Sequence, residues 1–352
     1  MFVQWEAFRA ISTRLEGILG IFALSLVTAC WLSAPGTAIA QADVSNTGSI
    51  GGIEAKFIDV KGVRTRYYDE GQGEPLVLVH GSGWRGTANA NTWVRNIPGL
   101  SERFRVIAVD KLGAGMTGNP LDDKDYNMQG MVNHLYEFIQ AMNLGEIHLM
   151  GQSNGGAVVF LTAVAHPEII KTLIIVNSGP AAPRVGSSGR EDALRPCRSE
   201  DWVEEWTCTY RALSYDPSHV TEDFLAASIY MQSLPKAQET AAKRAAGAGA
   251  PHFYSPESNA WLNTVHERVK TEGTLQMPVL LYWSRNDPNS PVGSPGAREA
   301  SALFDVIGEK NPRVRMFIAN KAGHFHYREY PEEFNWNVIN FIDYWNAQPA
   351  DR

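Results

Sequence analysis

Residues 147–160, with the sequence Ile-His-Leu-Met-Gly-Gln-Ser-Asn-Gly-Gly-Ala-Val-Val-Phe, contain the pattern that decides the fold. An apolar run leads into G-x-S-x-G, and a second run rich in small residues leads out, which predicts a buried strand, a tight turn and a buried helix. Gly151 and Gly155 suit such a turn, because bulkier side chains two residues from the serine would collide. We therefore predict Ser153 as a nucleophile at a helix N-terminus, where developing negative charge is stabilised.

The same alternation of strand and helix continues on both sides of this turn. Fully apolar runs are typical of parallel strands buried on both faces, and helical patterns separate them. The predicted buried strands are 75–80, 105–110, 147–151, 172–177, 279–283 and 314–319, and the predicted helices are 128–142, 157–165, 297–307 and 331–345. Residues 56–60 and 63–69 alternate apolar and polar side chains, as antiparallel edge strands do. The predicted fold class is α/β, with a mostly parallel, doubly wound sheet.

The alternation stops at residues 181–275. This stretch contains Pro, Gly and Ser punctuation, several tryptophans and an alanine-rich segment at 241–250, which together predict a helical insertion. Insertions of this kind often cover active sites, so we call residues 181–275 the lid. The predicted organisation is a signal peptide at 1–42, a core formed by 43–180 and 276–352, and the lid between the two core parts.

The first 42 residues differ in composition from the rest of the chain. Arg9 and Arg14 precede a long apolar run, and small residues with the A-x-A pattern follow at 38–42. This order is typical of a cleaved secretory signal and disfavours a permanent membrane span. We therefore expect a periplasmic or secreted protein without a membrane span in its mature form. A bacterial lipoprotein box at Cys30 is the open alternative, and it would anchor the mature protein through a lipid.

The chain has three cysteines, of which Cys30 lies in the predicted leader. Cys197 and Cys208 remain as a pair, and in an oxidising compartment such a pair predicts a disulfide closing a short loop. Two free or buried thiols are the alternative. Two cysteines without a histidine at suitable spacing do not form a tetrahedral zinc site, so no metal is predicted.

A serine hydroxyl needs a positioned imidazole as its base. Among nine histidines, His324 follows the last predicted strand, in a loop at its carboxyl end. Ligand-binding and catalytic groups gather at this edge of open α/β sheets. His326, two residues further on, competes for the role, but we expect its side chain to point away from the site in a locally extended segment, so we favour His324 as the base.

The acid that orients the imidazole is expected between the serine and the histidine in chain order. Asp287 follows the predicted strand 279–283 and lies at the same sheet edge. The alternative position, after the preceding strand, holds Asn177 and Ser178 and no carboxylate. Asp305 falls in a helical pattern and is expected at the surface. We predict Asp287 as the acid.

The anion that forms when a serine attacks a carbonyl needs preorganised donors. His80-Gly81-Ser82-Gly83 follows the first buried strand, so the backbone N–H groups of Ser82 and Gly83 are the predicted donors on one side. The N–H of Asn154, next to the nucleophile, is the predicted donor on the other side. A glycine turn without a catalytic role is the alternative interpretation of residues 80–83.

Charge and motifs exclude other function classes. The chain carries 31 basic and 38 acidic residues, for a net charge of −7, and its basic residues do not cluster, which disfavours nucleic-acid binding. Residues 113–118 spell G-x-G-x-x-G, but Asn119-Pro120 and two aspartates follow, so no helix starts where a dinucleotide phosphate would bind. We predict that 113–118 form a loop beside the active site and that no cofactor is required.

With these residues in place, the chain resembles the α/β-hydrolase superfamily from about residue 55 to its end, and within it the meta-cleavage-product hydrolases, which split carbon–carbon bonds in ring-opened aromatic acids. The resemblance is carried by His80-Gly81-Ser82-Gly83, Asn96-Ile97-Pro98, Arg103-Phe104-Arg105-Val106-Ile107-Ala108, the Gly151 turn, Tyr215-Asp216-Pro217-Ser218 and Ala322-Gly323-His324. The turn and triad are specific for the superfamily, and the other segments suggest the narrower family.

Two positions depart from the narrower family. Its members usually carry an arginine in the lid that grips the substrate carboxylate, and this chain has Ser228 at the aligned position. They also tend to have tryptophan after the catalytic histidine, where this chain has Phe325. Loss of a bidentate clamp is not a conservative change.

The sequence therefore predicts a serine hydrolase acting on a small carboxylic ester or related acyl substrate through an acyl-enzyme. Carbon–carbon bond hydrolysis of the meta-cleavage-product type is the alternative. A cofactor-free haloperoxidase or an acyltransferase would use the same triad. A non-enzymatic binding protein is the least favoured class, because such proteins usually lack a member of the triad.

Overall fold

The computed structural model describes residues 47–185, 190–251, 255–289 and 298–349 of the chain. The predicted signal peptide at 1–42, with Cys30, lies outside the described residues. Among the helices in the described ranges, none is both long and apolar enough to cross a membrane.

Eight strands form one sheet. They are β1 (Lys56–Val60), β2 (Val63–Glu70), β3 (Pro75–Val79), β4 (Arg105–Val109), β5 (Ile147–Gln152), β6 (Ile170–Val176), β7 (Val279–Ser284) and β8 (Val314–Ala319). The spatial order is β1-β2-β4-β3-β5-β6-β7-β8. Strand β2 is antiparallel to β1 and β4, and the other neighbours are parallel. The predicted mostly parallel sheet is confirmed.

The central strands are apolar because they are covered on both faces. Val77 of β3 pairs with Ile107 of β4 on one side and with Leu149 of β5 on the other, and all three are fully buried. Strand β8 is an edge strand, and its Met316 and Ile318 are exposed. The edge position explains why this strand is the least buried of the parallel set.

Eleven α-helices occur in the described residues. They are α1 (Ile97–Ser101), α2 (Met128–Ala141), α3 (Asn154–Ala165), α4 (Arg190–Leu194), α5 (Trp202–Ala212), α6 (Glu222–Ser233), α7 (Pro235–Ala245), α8 (Pro256–Glu272), α9 (Arg298–Gly308), α10 (His326–Glu329) and α11 (Pro331–Asn346). Helices α2, α3 and α9 pack on one face of the sheet. Helices α1 and α11 pack on the other. The doubly wound arrangement predicted from the sequence is therefore present.

The lid contributes helices α4 to α8 between β6 and β7. Cys197 and Cys208 form a disulfide that joins a short 3₁₀ turn to helix α5. The lid sits directly on the core near Gly86, where a Cβ atom would lie only 2.3 Å from the carbonyl oxygen of Met231 in α6. The side-chain oxygen of Gln232 accepts a 2.9 Å hydrogen bond from the Gly86 N–H.

The G-x-G-x-x-G segment forms a loop that is followed by Pro120 and no immediate helix. Its shape is dictated by the buried carboxylate of Asp110, which accepts hydrogen bonds from the backbone N–H groups of Met116 (2.8 Å) and Ala90 (2.6 Å). A Cβ atom at Gly115 would lie 2.1 Å from this carboxylate. The glycine makes room for an internal carboxylate, which is a structural role.

Three buried histidines make stability depend on pH. Burial lowers the pKa of His134 to about 4 and that of His326 to about 4, while burial and the charges of Arg328 and Arg95 lower the pKa of His219 to about 3. In the unfolded chain these side chains take up protons near pH 6.5, so below that pH the unfolded state binds more protons. Their full contribution to stability is present above about pH 6.5 and is lost as the pH falls toward 4.

We expect the free energy of unfolding in urea to fall from pH 7 to pH 5, by up to about 1.4 kcal/mol per pH unit for each histidine. His134→Gln should make this slope shallower, because one titrating group is removed. Stability that is flat or rises on acidification would contradict the assignment of neutral buried imidazoles.

Candidate active site

Ser153 lies on the sharp turn between β5 and α3. Its backbone has φ 53° and ψ −122°, a region that side-chain-bearing residues rarely adopt and that stores of the order of 1–3 kcal/mol of strain. A Cβ atom at Gly151 would lie 2.4 Å from the carbonyl oxygen of Gly155, and one at Gly155 would lie 2.3 Å from that of His80. The two motif glycines therefore permit the close approach that holds Ser153 in this conformation.

His324 and Asp287 meet at the carboxyl edge of the sheet. Asp287 follows β7, His324 follows β8, and both side chains are almost fully buried. Nδ1 of His324 lies 2.6 Å from Oδ2 of Asp287. A carboxylate at this distance fixes the proton on Nδ1, which leaves the lone pair of Nε2 free to act as a base.

The base nitrogen of His324 faces a residue that sequence reasoning did not single out. Nε2 lies 3.0 Å from the side-chain amide nitrogen of Gln152, which also donates a 3.2 Å hydrogen bond to the His324 carbonyl. Among the described residues, the Ser153 hydroxyl makes no hydrogen bond with His324. Bonds between nucleophile and base often tighten only in the complex with substrate. The predicted serine mechanism therefore requires the Ser153 hydroxyl to replace the Gln152 amide at Nε2 of His324.

His326 does not lie in an extended segment, contrary to the reasoning from the sequence, because helix α10 begins at this residue. Its Nε2 lies 2.9 Å from the hydroxyl of Tyr282, inside the core. Asp305 is exposed on α9, as expected. Neither side chain takes part in the cluster of Ser153, Asp287 and His324.

The loop that carries His324 is braced from several sides. The His324 N–H donates to the carbonyl oxygen of Leu213 in the lid, at 2.8 Å. The buried carboxyl group of Glu329 accepts from the N–H groups of Gly323, Tyr215 and Asp216, which tie the same loop to the lid. Burial raises the pKa of Glu329, and these N–H donors oppose the rise.

Asn177, at the position where the sequence offered no carboxylate, connects three strand ends. Its side-chain amide nitrogen donates to Oγ of Ser284 at 2.9 Å and to the carbonyl oxygen of His324 at 3.2 Å. Its side-chain oxygen accepts a 2.7 Å hydrogen bond from the Ser284 N–H. Asn177 therefore supports the histidine loop rather than acting as the triad acid.

A second carboxyl group lies near the acid. Glu299 on α9 approaches Gly179, where an added Cβ atom would lie 2.9 Å from its carboxylate oxygens. Burial and the negative charge of Asp287 raise the pKa of Glu299 to about 7. Glu299 therefore becomes protonated more readily than an ordinary carboxyl group.

The predicted oxyanion donors lie beside the nucleophile. A Cβ atom at Gly81 would lie 3.1 Å from Cβ of Ser153, so the Gly81 segment directly borders the turn. Ser82 has φ 56°, so it shares with Ser153 a positive φ that residues other than glycine rarely adopt. The N–H groups of Ser82, Gly83 and Asn154 bond to no other group in the described part of the chain. Unpaired N–H groups next to a nucleophile are suited to receive a developing anion.

The structure describes both positions that depart from the meta-cleavage-product pattern. Ser228 is fully buried on α6, and its Oγ accepts a 3.3 Å hydrogen bond from the side chain of Asn89. Phe325 stacks on Tyr210 of the lid, with 4.1 Å between ring centroids and 6° between planes. The described residues contain no group of three or more His, Cys, Asp and Glu side chains able to hold a metal.

Comparison with known proteins gives a consistent result. A family model described as the alpha/beta hydrolase fold matches residues 74–329. The chain is 29% identical over 292 residues to a 2-hydroxy-6-oxo-6-(2'-aminophenyl)hexa-2,4-dienoic acid hydrolase of Metapseudomonas resinovorans, covering 82% of this chain and 90% of that protein.

Solved structures show the same likeness. The meta-cleavage product hydrolase CumD of Pseudomonas fluorescens IP01 superposes with a TM-score of 0.63 at 26% identity, covering 82% of this chain and 97% of that one. CarC, a serine hydrolase involved in carbazole degradation, superposes with a TM-score of 0.60 at 25% identity, covering 83% and 99%. The resemblance to meta-cleavage-product hydrolases deduced from the sequence is confirmed.

Proposed function

The chain belongs to the α/β-hydrolase fold family, and from this premise we propose that Ser153, His324 and Asp287 form a catalytic triad that breaks a bond beside a carbonyl carbon. The observation that carries the proposal is the 2.6 Å contact between Asp287 and His324, at the sheet edge that also presents Ser153. The unpaired N–H groups of Ser82, Gly83 and Asn154 are the donors that would stabilise the anion formed in the same site.

In the proposed mechanism, Nε2 of His324 takes the proton of Ser153 as Oγ bonds to the carbonyl carbon. The carbonyl oxygen becomes an anion and accepts hydrogen bonds from the N–H groups of Ser82, Gly83 and Asn154. Asp287 stabilises the imidazolium that forms. The proton then passes to the departing group, and a water molecule activated by His324 hydrolyses the acyl-enzyme.

We propose carbon–carbon bond hydrolysis of a ring-opened keto-dienoic compound as the first candidate reaction. The relative from Metapseudomonas and the CumD structure support this choice over the ester that the sequence favoured. In this reaction Ser153 bonds to the ketone carbon, and the adjacent carbon–carbon bond breaks. The bond breaks in the keto tautomer of the dienol, in which the carbon next to the ketone is a methylene group. The electron pair of the broken bond is then delocalised over the leaving fragment as a dienolate, whose oxygen receives the proton from His324. Water releases the remaining acyl group as a carboxylic acid.

A carboxylic ester is the second candidate, because of Ser228 and Phe325. Ser228 offers a small hydroxyl, bonded to Asn89, at the aligned position of the arginine clamp. A hydroxyl cannot replace the bidentate grip of a guanidinium on a carboxylate. An uncharged ester would make no use of such a clamp.

The deciding experiment measures kcat/KM for two substrate series with the same purified protein. One series contains 2-hydroxy-6-oxo-hexa-2,4-dienoates with alkyl or aryl groups at the ketone, followed by the loss of their conjugated absorbance. The other contains p-nitrophenyl esters of two to eight carbons. We expect kcat/KM for the dienoates to exceed that for the best ester by about 100-fold or more. A ratio of this size corresponds to about two or three polar contacts that are weaker with the ester than with the dienoate.

The reverse order would select the ester reaction. Turnover of neither series, with no labelling of Ser153 by a serine-directed reagent, would contradict the hydrolase mechanism itself. Ser228→Arg is the matched variant for substrate choice, because it restores a cation at the aligned position. If the dienoate carboxylate lies near residue 228, this variant should lower the KM for dienoates and leave that for esters unchanged.

We also propose that the protein is exported through the leader at residues 1–42. The disulfide between Cys197 and Cys208 supports an oxidising compartment. The intact mass of the mature protein tests this proposal. An N-terminus near residues 40–43 would indicate simple cleavage, a diacylated or triacylated Cys30 would indicate a lipoprotein, and a retained leader would contradict export.

A further inference from the structure

Lys111 is a buried lysine directly behind the predicted oxyanion hole. It follows β4 and Asp110, and only 4% of its surface is exposed. Its ammonium nitrogen Nζ lies 2.7 Å from the carbonyl oxygen of His80, 2.6 Å from that of Ser82 and 3.2 Å from that of Gly81. It also lies 3.1 Å from the side-chain oxygen of Asn154.

All four of these neighbours are neutral oxygens, and in the described part of the chain no carboxylate contacts Nζ. The carboxylate of Asp110 bonds instead to Arg66, Ala90 and Met116. Burial lowers the pKa of Lys111 well below its ordinary value, and the charge of Asp110 opposes this effect. Four acceptors around one nitrogen favour an ammonium with three N–H donors, because the lone pair of a neutral amine would face an oxygen.

The carbonyl groups that Lys111 contacts belong to the peptides that supply the oxyanion donors. In a trans peptide, the C=O and the N–H of the next residue point in opposite directions. The Gly81 carbonyl therefore opposes the N–H of Ser82, and the Ser82 carbonyl opposes the N–H of Gly83. Lys111 therefore binds the carbonyl ends of the two peptide groups whose N–H ends are the predicted oxyanion donors.

The same nitrogen also reaches the other side of the hole. Asn154 supplies the third predicted N–H donor, and its side-chain oxygen is bound by Lys111. In addition, the backbone N–H of Lys111 donates a 3.0 Å hydrogen bond to Nε2 of His80, which fixes the start of the Gly81 segment. Ser82 has an unfavourable left-handed backbone, and such residues persist only where neighbouring contacts hold them.

We propose that Lys111 is a positioning residue that aligns both halves of the oxyanion hole and polarises its peptide donors. The inference rests on the proposed serine mechanism and adds Lys111 as a residue that acts mainly when the anion forms. A cation bonded to a peptide carbonyl strengthens the N–H at the other end of that peptide. Lys111 therefore stabilises the transition state more than the bound substrate.

A second lysine that donates to backbone carbonyl groups, and that is partly buried, provides a control. Lys236 on α7 donates to the carbonyl oxygens of Ala114 and Gly115, at 3.2 and 3.0 Å. Burial lowers its pKa to about 8. It thus resembles Lys111 in its carbonyl partners, but it is only partly buried and contacts the 113–118 loop and none of the predicted oxyanion peptides.

The test is the second-order rate constant with which an alkyl fluorophosphonate labels Ser153, followed by intact mass. In this reaction the Oγ–P bond forms, fluoride leaves, the serine proton passes through His324 to solvent, and the phosphoryl oxygen occupies the oxyanion hole. The measurement does not depend on the natural substrate. We expect Lys111→Met to lower this rate constant by about 10- to 100-fold, somewhat less than the loss of a direct oxyanion donor.

Further variants separate the roles of charge, donor and fold. Lys111→Arg keeps a cation and should recover part of the lost rate, whereas Lys111→Gln keeps only a neutral donor and should recover less. The rate constant for labelling of Lys236→Met should lie within about threefold of the wild-type value, since the carbonyl partners of Lys236 lie outside the predicted oxyanion hole. With a turned-over substrate, Lys111→Met should lower kcat while KM stays nearly constant.

Rates are expressed per folded molecule, with the folded fraction taken from thermal unfolding of each variant. Slower labelling confined to the Lys111 variants would support the proposal. Wild-type labelling of a folded Lys111→Met or Lys111→Gln would overturn it, as would an equal loss in Lys236→Met or failure of every Lys111 variant to fold. A wild-type protein that is not labelled at all would instead refute the serine mechanism.

Discussion

Replacement of Ser153 by alanine is expected to lower kcat by about 10⁵- to 10⁶-fold, with a much smaller change in KM. The serine hydroxyl is the group that bonds to the carbonyl carbon in the proposed mechanism, and no other hydroxyl occupies the turn between β5 and α3. Residual activity would reflect substrate binding and the oxyanion donors, which still act on an attacking water. The measurement is single-substrate kinetics with the better of the two substrate series.

Folding of this variant should be unaffected or slightly improved, because alanine and serine differ by one oxygen. Ser233→Ala is the matched control: Ser233 is exposed at the end of α6, and within the described part of the chain its hydroxyl bonds only to the carbonyl oxygen of Tyr230. This control should keep wild-type kcat. A Ser153→Ala protein that retains more than about one part in a thousand of the wild-type kcat would exclude serine as the nucleophile.

Asp110→Ala is expected to destabilise the fold by about 3–5 kcal/mol, because it leaves the guanidinium of Arg66 buried without its counter-ion. Both side chains are fully buried, and Nη1 of Arg66 lies 2.9 Å from Oδ1 of Asp110. The substitution also removes the acceptor for the N–H groups of Ala90 and Met116. The measurement is the free energy of urea unfolding at pH 7.

An exposed ion pair serves as the comparison. Arg103 and Asp343 lie 2.8 Å apart, but nearly half of each side chain is exposed. Asp343→Ala should therefore cost about 0–1 kcal/mol, as for other surface pairs. If Asp110→Ala cost no more than Asp343→Ala, the Arg66–Asp110 pair would not be a determinant of stability.

The predicted strands and core helices agree with the structure to within one to three residues at most ends, because apolar runs mark buried strands directly. Residues 279–283 and 314–319, for example, correspond to β7 and β8. The lid was predicted only as helical. Its helices are rich in charged and polar residues, so periodicity alone does not place their ends or their contacts.

Within the candidate site, the sequence named the residues that the structure brings to one edge of the sheet, because these residues occupy recognisable positions in the chain. Ser153 has a motif, and Asp287 and His324 follow consecutive strands, so parallel topology brings them to one edge. Gln152, Asn177 and Glu329 were not found, although they contact His324 or its loop. Amide and carboxyl side chains that support a loop have no characteristic spacing, since their partners are backbone groups far along the chain.

The sequence by itself determined the α/β fold and placed the predicted nucleophile and the chain order of the predicted triad, because strand and helix periodicities and the glycine requirement of a tight turn are local properties. Only the tertiary structure decided what faces Nε2 of His324, what holds the oxyanion peptides and why Asp110 is buried. Lys111 and His80 are 31 residues apart and meet across neighbouring strands. Contacts of this kind depend on strand order and on the match of donors to acceptors, which no local pattern encodes.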